Sequence, residues 1–132
     1  MADASYPAEL LYHAEHDWAR IDPADPEHAT LGITWYAQDA LGEVVFCEPP
    51  TVGAQVVKDE PYAEVESVKA VSDVIAPLSG EIVEVNEGLS SSPETINNDP
   101  YGDGWLVKIR LSDPAETATL MDAATYTATL GG

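Results

Sequence analysis

The chain is cut into short pieces. Runs of β-branched and aromatic residues, each a few positions long, alternate with clusters of Gly, Pro, Asn and Asp, a pattern that admits many strands and few helices. Strand-like runs fall near residues 10–13, 18–21, 29–34, 44–48, 54–57, 62–66, 71–75, 80–85 and 105–111. The breaks carry turn chemistry of their own, in Asp22-Pro23-Ala24-Asp25-Pro26, Asp59-Glu60-Pro61, Pro77-Leu78-Ser79-Gly80 and Asn98-Asp99-Pro100-Tyr101-Gly102-Asp103-Gly104. Val52-Gly53-Ala54-Gln55-Val56 and Ser79-Gly80-Glu81-Ile82-Val83 each open a strand after Gly and lead into a further strand, which hints at two related halves. The expected fold is mostly β.

Helical signals are sparse. Thr34 is placed to cap a short helix ending at Leu41, with Gly42 at the stop position. Asp113-Pro114-Ala115-Glu116 combines an N-cap acid, Pro at the first helical position and Glu placed for a capping box, which predicts a helix over 114–121. A second short turn is expected around 122–130, so that about 112–132 forms a C-terminal helical segment packed on the rest.

With 132 residues, 45% of them apolar, the chain is long enough for one core and too short for two, so residues 1–132 are expected to form a single domain. Five Lys plus Arg stand against 24 Asp plus Glu, a formal charge of −19. Such a surface repels nucleic acid and anionic membranes. It suits basic protein partners, although solubility or a salty environment is the plainer explanation. Cys47 is the only cysteine, so no intramolecular disulfide forms, and it reads as a small buried apolar residue with nothing nearby to stabilise a thiolate. No targeting segment or membrane-spanning run is visible, and a soluble cytoplasmic monomer is the default expectation. His13, His16 and His28 lack an accompanying cysteine cluster and are taken as structural or surface residues, with no metal site.

The three lysines are not equivalent. Lys58 and Lys108 read as solvated charges in a turn and a strand. Lys69 interrupts a largely apolar stretch between two alternating runs, which would place it outward at a turn. Ser67-Val68-Lys69-Ala70 holds no Gly, Asn or Pro, however, and Glu64-Val65-Glu66-Ser67-Val68-Lys69-Ala70 passes equally as a helix. The residues alone leave hairpin and helix open, with a plain surface lysine on either.

The blocks His16-Asp17-Trp18, Leu31-Gly32-Ile33-Thr34, Ala37 through Phe46, Val65-Glu66-Ser67-Val68-Lys69-Ala70-Val71-Ser72-Asp73, Pro77 through Asn86 and Asn98 through Trp105 occur in order. Over about 12–130 the chain thereby resembles the H-protein family of the glycine cleavage system. The resemblance implies a lipoyl-domain-like barrel-sandwich hybrid: two small antiparallel sheets with a quasi-twofold relation, short helices and a C-terminal helix. It also implies that Lys69 sits at a hairpin tip, where lipoate is covalently attached.

By the same resemblance the chain is a carrier and not an enzyme. It would shuttle the aminomethyl group of glycine among a pyridoxal-phosphate glycine decarboxylase, a tetrahydrofolate-dependent aminomethyltransferase and dihydrolipoyl dehydrogenase, after loading by lipoate-attaching enzymes. Glu66, Ser67, Val68, Ala70 and Asp73 would be recognised around the tip. Glu15, Asp17, Ile33, Tyr36 and Asp73 would line a cleft that shelters the loaded arm, where an acid can hold the protonated amine. Asp17 standing alone would be read as a strand-end surface acid. The chain departs from the family pattern at Asp17, Trp35 and Tyr36, and at Cys47 and Pro49.

Other carriers fit less well. A biotin carrier shares the fold, but its lysine is usually bracketed by methionines, where this chain has Val68 and Ala70. A lipoyl domain of a 2-oxoacid dehydrogenase commonly has Asp before the lysine. An H-like relay of lipoate to other complexes, an independent enzyme and an interaction module without cofactor are the remaining alternatives.

Overall fold

The computed structural model describes residues 6–48 and 50–131, so that Pro49 and the extreme termini lie outside the described residues. Each expected strand run has a counterpart. The larger sheet contains β1 (Leu11–His13), β2 (Asp17–Asp22), β3 (Asp25–Ile33), β5 (Gln55–Val56), β8 (Gly80–Val85) and β9 (Val107–Leu111), ordered β1-β2-β3-β9-β8-β5. The smaller contains β4 (Val44–Glu48), β6 (Pro61–Ser67) and β7 (Val71–Ile75), ordered β4-β6-β7. All pairings are antiparallel. The two Gly-led strands pair with each other, Gln55 opposite Glu81 and Val56 opposite Gly80, the arrangement that a local twofold between related halves produces.

The sheets enclose a core in which Ala19, Leu31 and Ile33 of β2 and β3 meet Cys47, Val65 and Val74 of the smaller sheet, with Ile82, Val107 and Ile109 beside them. Alternation puts Asp17 on the same side of β2 as Ala19, and both are buried. Trp18 points the other way, into a second cluster with Leu10, Tyr12 and Tyr126. Its indole donates to the Pro100 carbonyl at 3.0 Å, and a Cβ added to Gly32 on β3 would come within 2.5 Å of its ring. Only glycine leaves room for that ring.

Helix α1 (Trp35–Leu41) has the expected Thr34 cap, whose hydroxyl accepts from the Ala37 N–H at 3.3 Å. Two four-residue helices that the turn signals gave no hint of, α2 (Gly88–Ser91) and α3 (Thr95–Asn98), follow β8 and bury Leu89 and Ile96. The C-terminal expectation needs correction: residues Pro114–Thr119 form a 3₁₀ helix, and the longer helix is α4, Ala123–Gly131. Asp113 does cap, accepting from Ala115, but the Glu116 carboxylate leaves the helix to accept from the Ser79 N–H at 2.8 Å and the Ser79 hydroxyl at 3.0 Å. Nothing in Pro114–Thr119 is buried, so no apolar face holds an α-helix there. Helix α4 is held instead by Tyr126, stacked on Tyr12 with centroids 4.9 Å apart, and Met121 bridges to Tyr12 through paired backbone bonds of 2.8 Å.

Candidate functional site

Lys69 lies at the tip of the β6–β7 hairpin, which settles the helix ambiguity. The turn is built from a hydroxyl where Gly or Asn might stand. Ser67 Oγ accepts from the Lys69 N–H at 3.3 Å and the Ala70 N–H at 3.1 Å, while the Ser67 N–H donates to the Ala70 carbonyl at 2.8 Å. The Val68 N–H is satisfied from outside the hairpin, by the Glu43 carbonyl at 3.2 Å. Ser67 is buried; Val68, Lys69 and Ala70 are exposed, Val68 at 71%.

The other lysines are placed differently. The Lys58 side chain, expected to be solvated, is only 18% exposed and its ammonium lies 3.5 Å from Asp59. Its stem lies against the protein, with the charge near the surface. Lys108 lies over the Trp105 ring and 3.7 Å from Glu84.

Beside the tip, α1 ends at Gly42, whose φ of +83° favours glycine, and a Cβ there would lie 3.5 Å from Lys69 Cε. The Lys69 stem thus runs over a helix end bare of side chain. Asn97 on α3 holds this corner: its side-chain oxygen accepts from the Val44 N–H at 2.8 Å, and its amide donates to the Gly42 carbonyl at 2.8 Å and to Gln38 Oε1 at 3.0 Å. Nothing in the local sequence distinguishes Asn97 from its neighbour Asn98; only the fold shows its position.

A cavity of about 390 Å³ opens from the tip along β7 and α1. Glu15, Asp17, Ile33, Tyr36 and Asp73 all line it, together with His16, Ala37, Leu41 and Ala70. Glu66 and Val68 lie outside it. The acid at position 17 is not on the surface: Asp17 is 1% exposed, and its Oδ2 has no hydrogen-bond partner among the described residues. Burial, with the Glu15 charge adding to it, pushes the Asp17 carboxyl well above the usual carboxylate range. The buried Tyr62 hydroxyl likewise has no hydrogen-bond partner among the described residues, and burial, then Asp17 and Cys47, raise its pKa.

The cavity mouth is shaped by His16. This residue has a φ of +72°, rings 4.4 Å from Tyr36, and Nδ1 2.8 Å from the Tyr126 hydroxyl, which in turn lies 2.8 Å from Thr34 Oγ1. Burial lowers the His16 pKa. The other histidines are structural: His13 Nε2 is 2.6 Å from Asp59, and His28 Nδ1 is 2.7 Å from Asp25. Cys47 is buried in the core, its thiol pushed up to about 11 by burial. Among the described residues no cluster of His, Cys, Asp and Glu is arranged for a metal, and no helix is long and apolar enough to cross a membrane.

A β-platform that projects one lysine at a hairpin tip beside an acid-lined cavity is the architecture of a swinging-arm carrier, built here on the lipoyl-type barrel-sandwich. Sequence comparison gives the family. The glycine cleavage H-protein family profile matches residues 10–131, and the chain belongs to that family. It is 53% identical over 125 residues to the glycine cleavage system H protein of Symbiobacterium thermophilum, covering 95% of each chain. It is also 53% identical to that of Klebsiella pneumoniae over 127 residues, covering 96% of this chain and 97% of the other. The crystal structure of a glycine cleavage system H protein from Mycobacterium marinum superposes with a TM-score of 0.85 at 42% identity, over 96% of this chain and 99% of that one.

Proposed function

We propose that this chain is the lipoyl carrier of a glycine cleavage system, with lipoate joined to Lys69 by an amide and with no catalytic role of its own. The observation that carries the reading is the pairing of an exposed Lys69 at a hairpin tip with an adjacent cavity that contains the buried Asp17 carboxyl, whose Oδ2 has no hydrogen-bond partner among the described residues. The residues fit the group, since Lys69 is exposed at the tip and Gly42 beside it sets no side chain against its stem. Lipoate there supplies a disulfide that accepts the aminomethyl group of glycine together with two electrons.

The chain's own residues then present, shelter and release. The hairpin holds Lys69 away from the barrel, so that a pyridoxal-phosphate decarboxylase, a folate-dependent aminomethyltransferase and dihydrolipoyl dehydrogenase reach the same attachment point in turn. Ile33, Ala37 and Leu41 supply apolar wall that keeps water from a labile cargo. Asp17 Oδ2 would accept a hydrogen bond from a protonated amine, whose charge would favour release of the Asp17 proton to solvent, with Glu15 and Asp73 adding negative charge at the same cavity. Tyr36 lines this cavity, and its contact with His16, ring centroids 4.4 Å apart, holds it there. The chain acts as a monomer in the cytoplasm.

The test is Lys69→Arg, which keeps the charge but forms no lipoyl amide. In an assay reconstituted with the partner enzymes, the lipoylated parent supports glycine-dependent release of CO₂ and the variant falls to background. Turnover by the variant equal to the parent would sink the carrier reading, as would turnover by the isolated parent without partners.

A further inference from the structure

The C-terminal helix reaches the cavity through one side chain. At the start of α4 the Asp122 carboxylate accepts from the Thr125 N–H at 2.8 Å, and the Met121–Tyr12 backbone bonds set the helix against β1. Tyr126 is fully buried, with its hydroxyl 2.8 Å from His16 Nδ1 and 2.8 Å from Thr34 Oγ1. Burial holds this hydroxyl above the usual tyrosine pKa, so it keeps its proton and can donate to one partner while accepting from the other.

The two partners belong to different walls of the cavity. His16 stands in the β1–β2 turn between Glu15 and Asp17, and all three line the cavity. Thr34 follows Ile33 and caps α1, which contributes Tyr36, Ala37 and Leu41. The walls meet in the backbone, where the Thr34 N–H donates to the His16 carbonyl at 3.1 Å. Tyr126 adds a side-chain tie to each from far along the chain, 110 residues from His16 and 92 from Thr34. His16 needs such a tie. Its φ of +72° lies in the left-handed region, which a residue with a Cβ holds only where its surroundings fix it. Without a partner on Nδ1 its ring is free to sample other rotamers and to leave its place beside Tyr36.

Resting on the carrier reading, we propose that Tyr126 is a positioning residue for the sheltered arm: its hydroxyl clamps the β1–β2 turn to the start of α1 and so keeps the two cavity walls at their spacing. Tyr126 does not line the cavity. It acts through His16, whose ring stands against Tyr36 and whose backbone carries Asp17 next in the chain. The C-terminal helix thereby governs how well the cavity keeps water from a loaded arm.

The experiment compares the full chain with Tyr126→Phe and Tyr12→Phe. Each variant keeps its ring in the Tyr12–Tyr126 stack and loses one hydroxyl, but the Tyr12 hydroxyl donates to the Pro7 carbonyl and has no part in the tie. On the unmodified chain, nitrogen NMR reads the partner of His16 Nδ1 and nuclear Overhauser contacts read the His16–Tyr36 spacing. Tyr126→Phe is expected to move the Nδ1 resonance and weaken those contacts, and Tyr12→Phe to leave both as in the parent. On the lipoylated chain, loaded with glycine by the decarboxylase and then separated from both, loss of cargo is followed as ammonia released without folate. In that loss water supplies the oxygen of the departing formaldehyde, the C–S and C–N bonds break, and ammonia and a free thiol remain, with nothing oxidised or reduced. Tyr126→Phe is expected to lose cargo on the order of fivefold faster than the parent, the scale of one hydrogen bond, and Tyr12→Phe at the parental rate. An unmoved His16 resonance, or cargo loss in Tyr126→Phe within about twofold of the parent, would overturn the proposal and leave the carrier reading intact. Equal acceleration in both variants would overturn it too, since the loss would then come from a generally loosened helix. A parent that takes no lipoyl group at Lys69 would defeat the carrier reading, and this proposal with it.

Discussion

Asp17 is the residue where position and chemistry diverge most. A carboxyl facing the core at the end of β2 would normally be paired, yet Oδ2 has no partner among the described residues and desolvation favours the neutral form. Its folded pKa lies above its unfolded one, so the folded chain binds this proton more tightly. That contribution to stability is complete below the unfolded pKa and is lost as pH rises toward the folded value. Asp17→Asn removes the titration. The variant is therefore expected to gain in melting temperature relative to the parent as pH is raised from about 4 to about 8, followed by thermal denaturation at each pH. A difference that does not vary with pH would show that Asp17 is not held protonated. Sequence alone made this residue a surface acid; only the resemblance moved it to a cleft, and its burial comes from alternation on a strand covered on both sides by other segments.

The hairpin that presents Lys69 shows which elements the sequence reveals and which it hides. Strands written as apolar alternation between Gly, Pro, Asn and Asp breaks were legible: the readings near 44–48, 71–75 and 80–85 coincide with β4, β7 and β8. The Lys69 turn was not, because its stabilising groups are the Ser67 hydroxyl and the Glu43 carbonyl of another segment. The 3₁₀ helix was misread for a related reason, since Glu116, placed for a capping box, bonds Ser79 far along the chain. The hairpin account makes Ser67→Ala informative. Removing the acceptor of two N–H groups is expected to cost about 0.5–1.5 kcal/mol, at the low end because water reaches the exposed tip. Urea unfolding should show a lower midpoint at unchanged slope, and amide exchange at Lys69 and Ala70 should quicken. Exchange at the parental rate would mean that the hydroxyl does not hold the tip.

At the scale of the whole molecule, the cavity draws on the β1–β2 turn, the end of β3, α1 and β7, segments distant in sequence. No local pattern in any of them announces a shared pocket, which is why the family blocks carried that expectation and periodicity did not. The carrier role depends on a covalent change at one atom. Protein purified from cells competent to make lipoate, digested and examined by mass spectrometry, should carry one lipoyl group on the peptide that contains Lys69 and none on those containing Lys58 or Lys108. An unmodified Lys69 in such cells, or a lipoyl group on either of the other lysines, would contradict it.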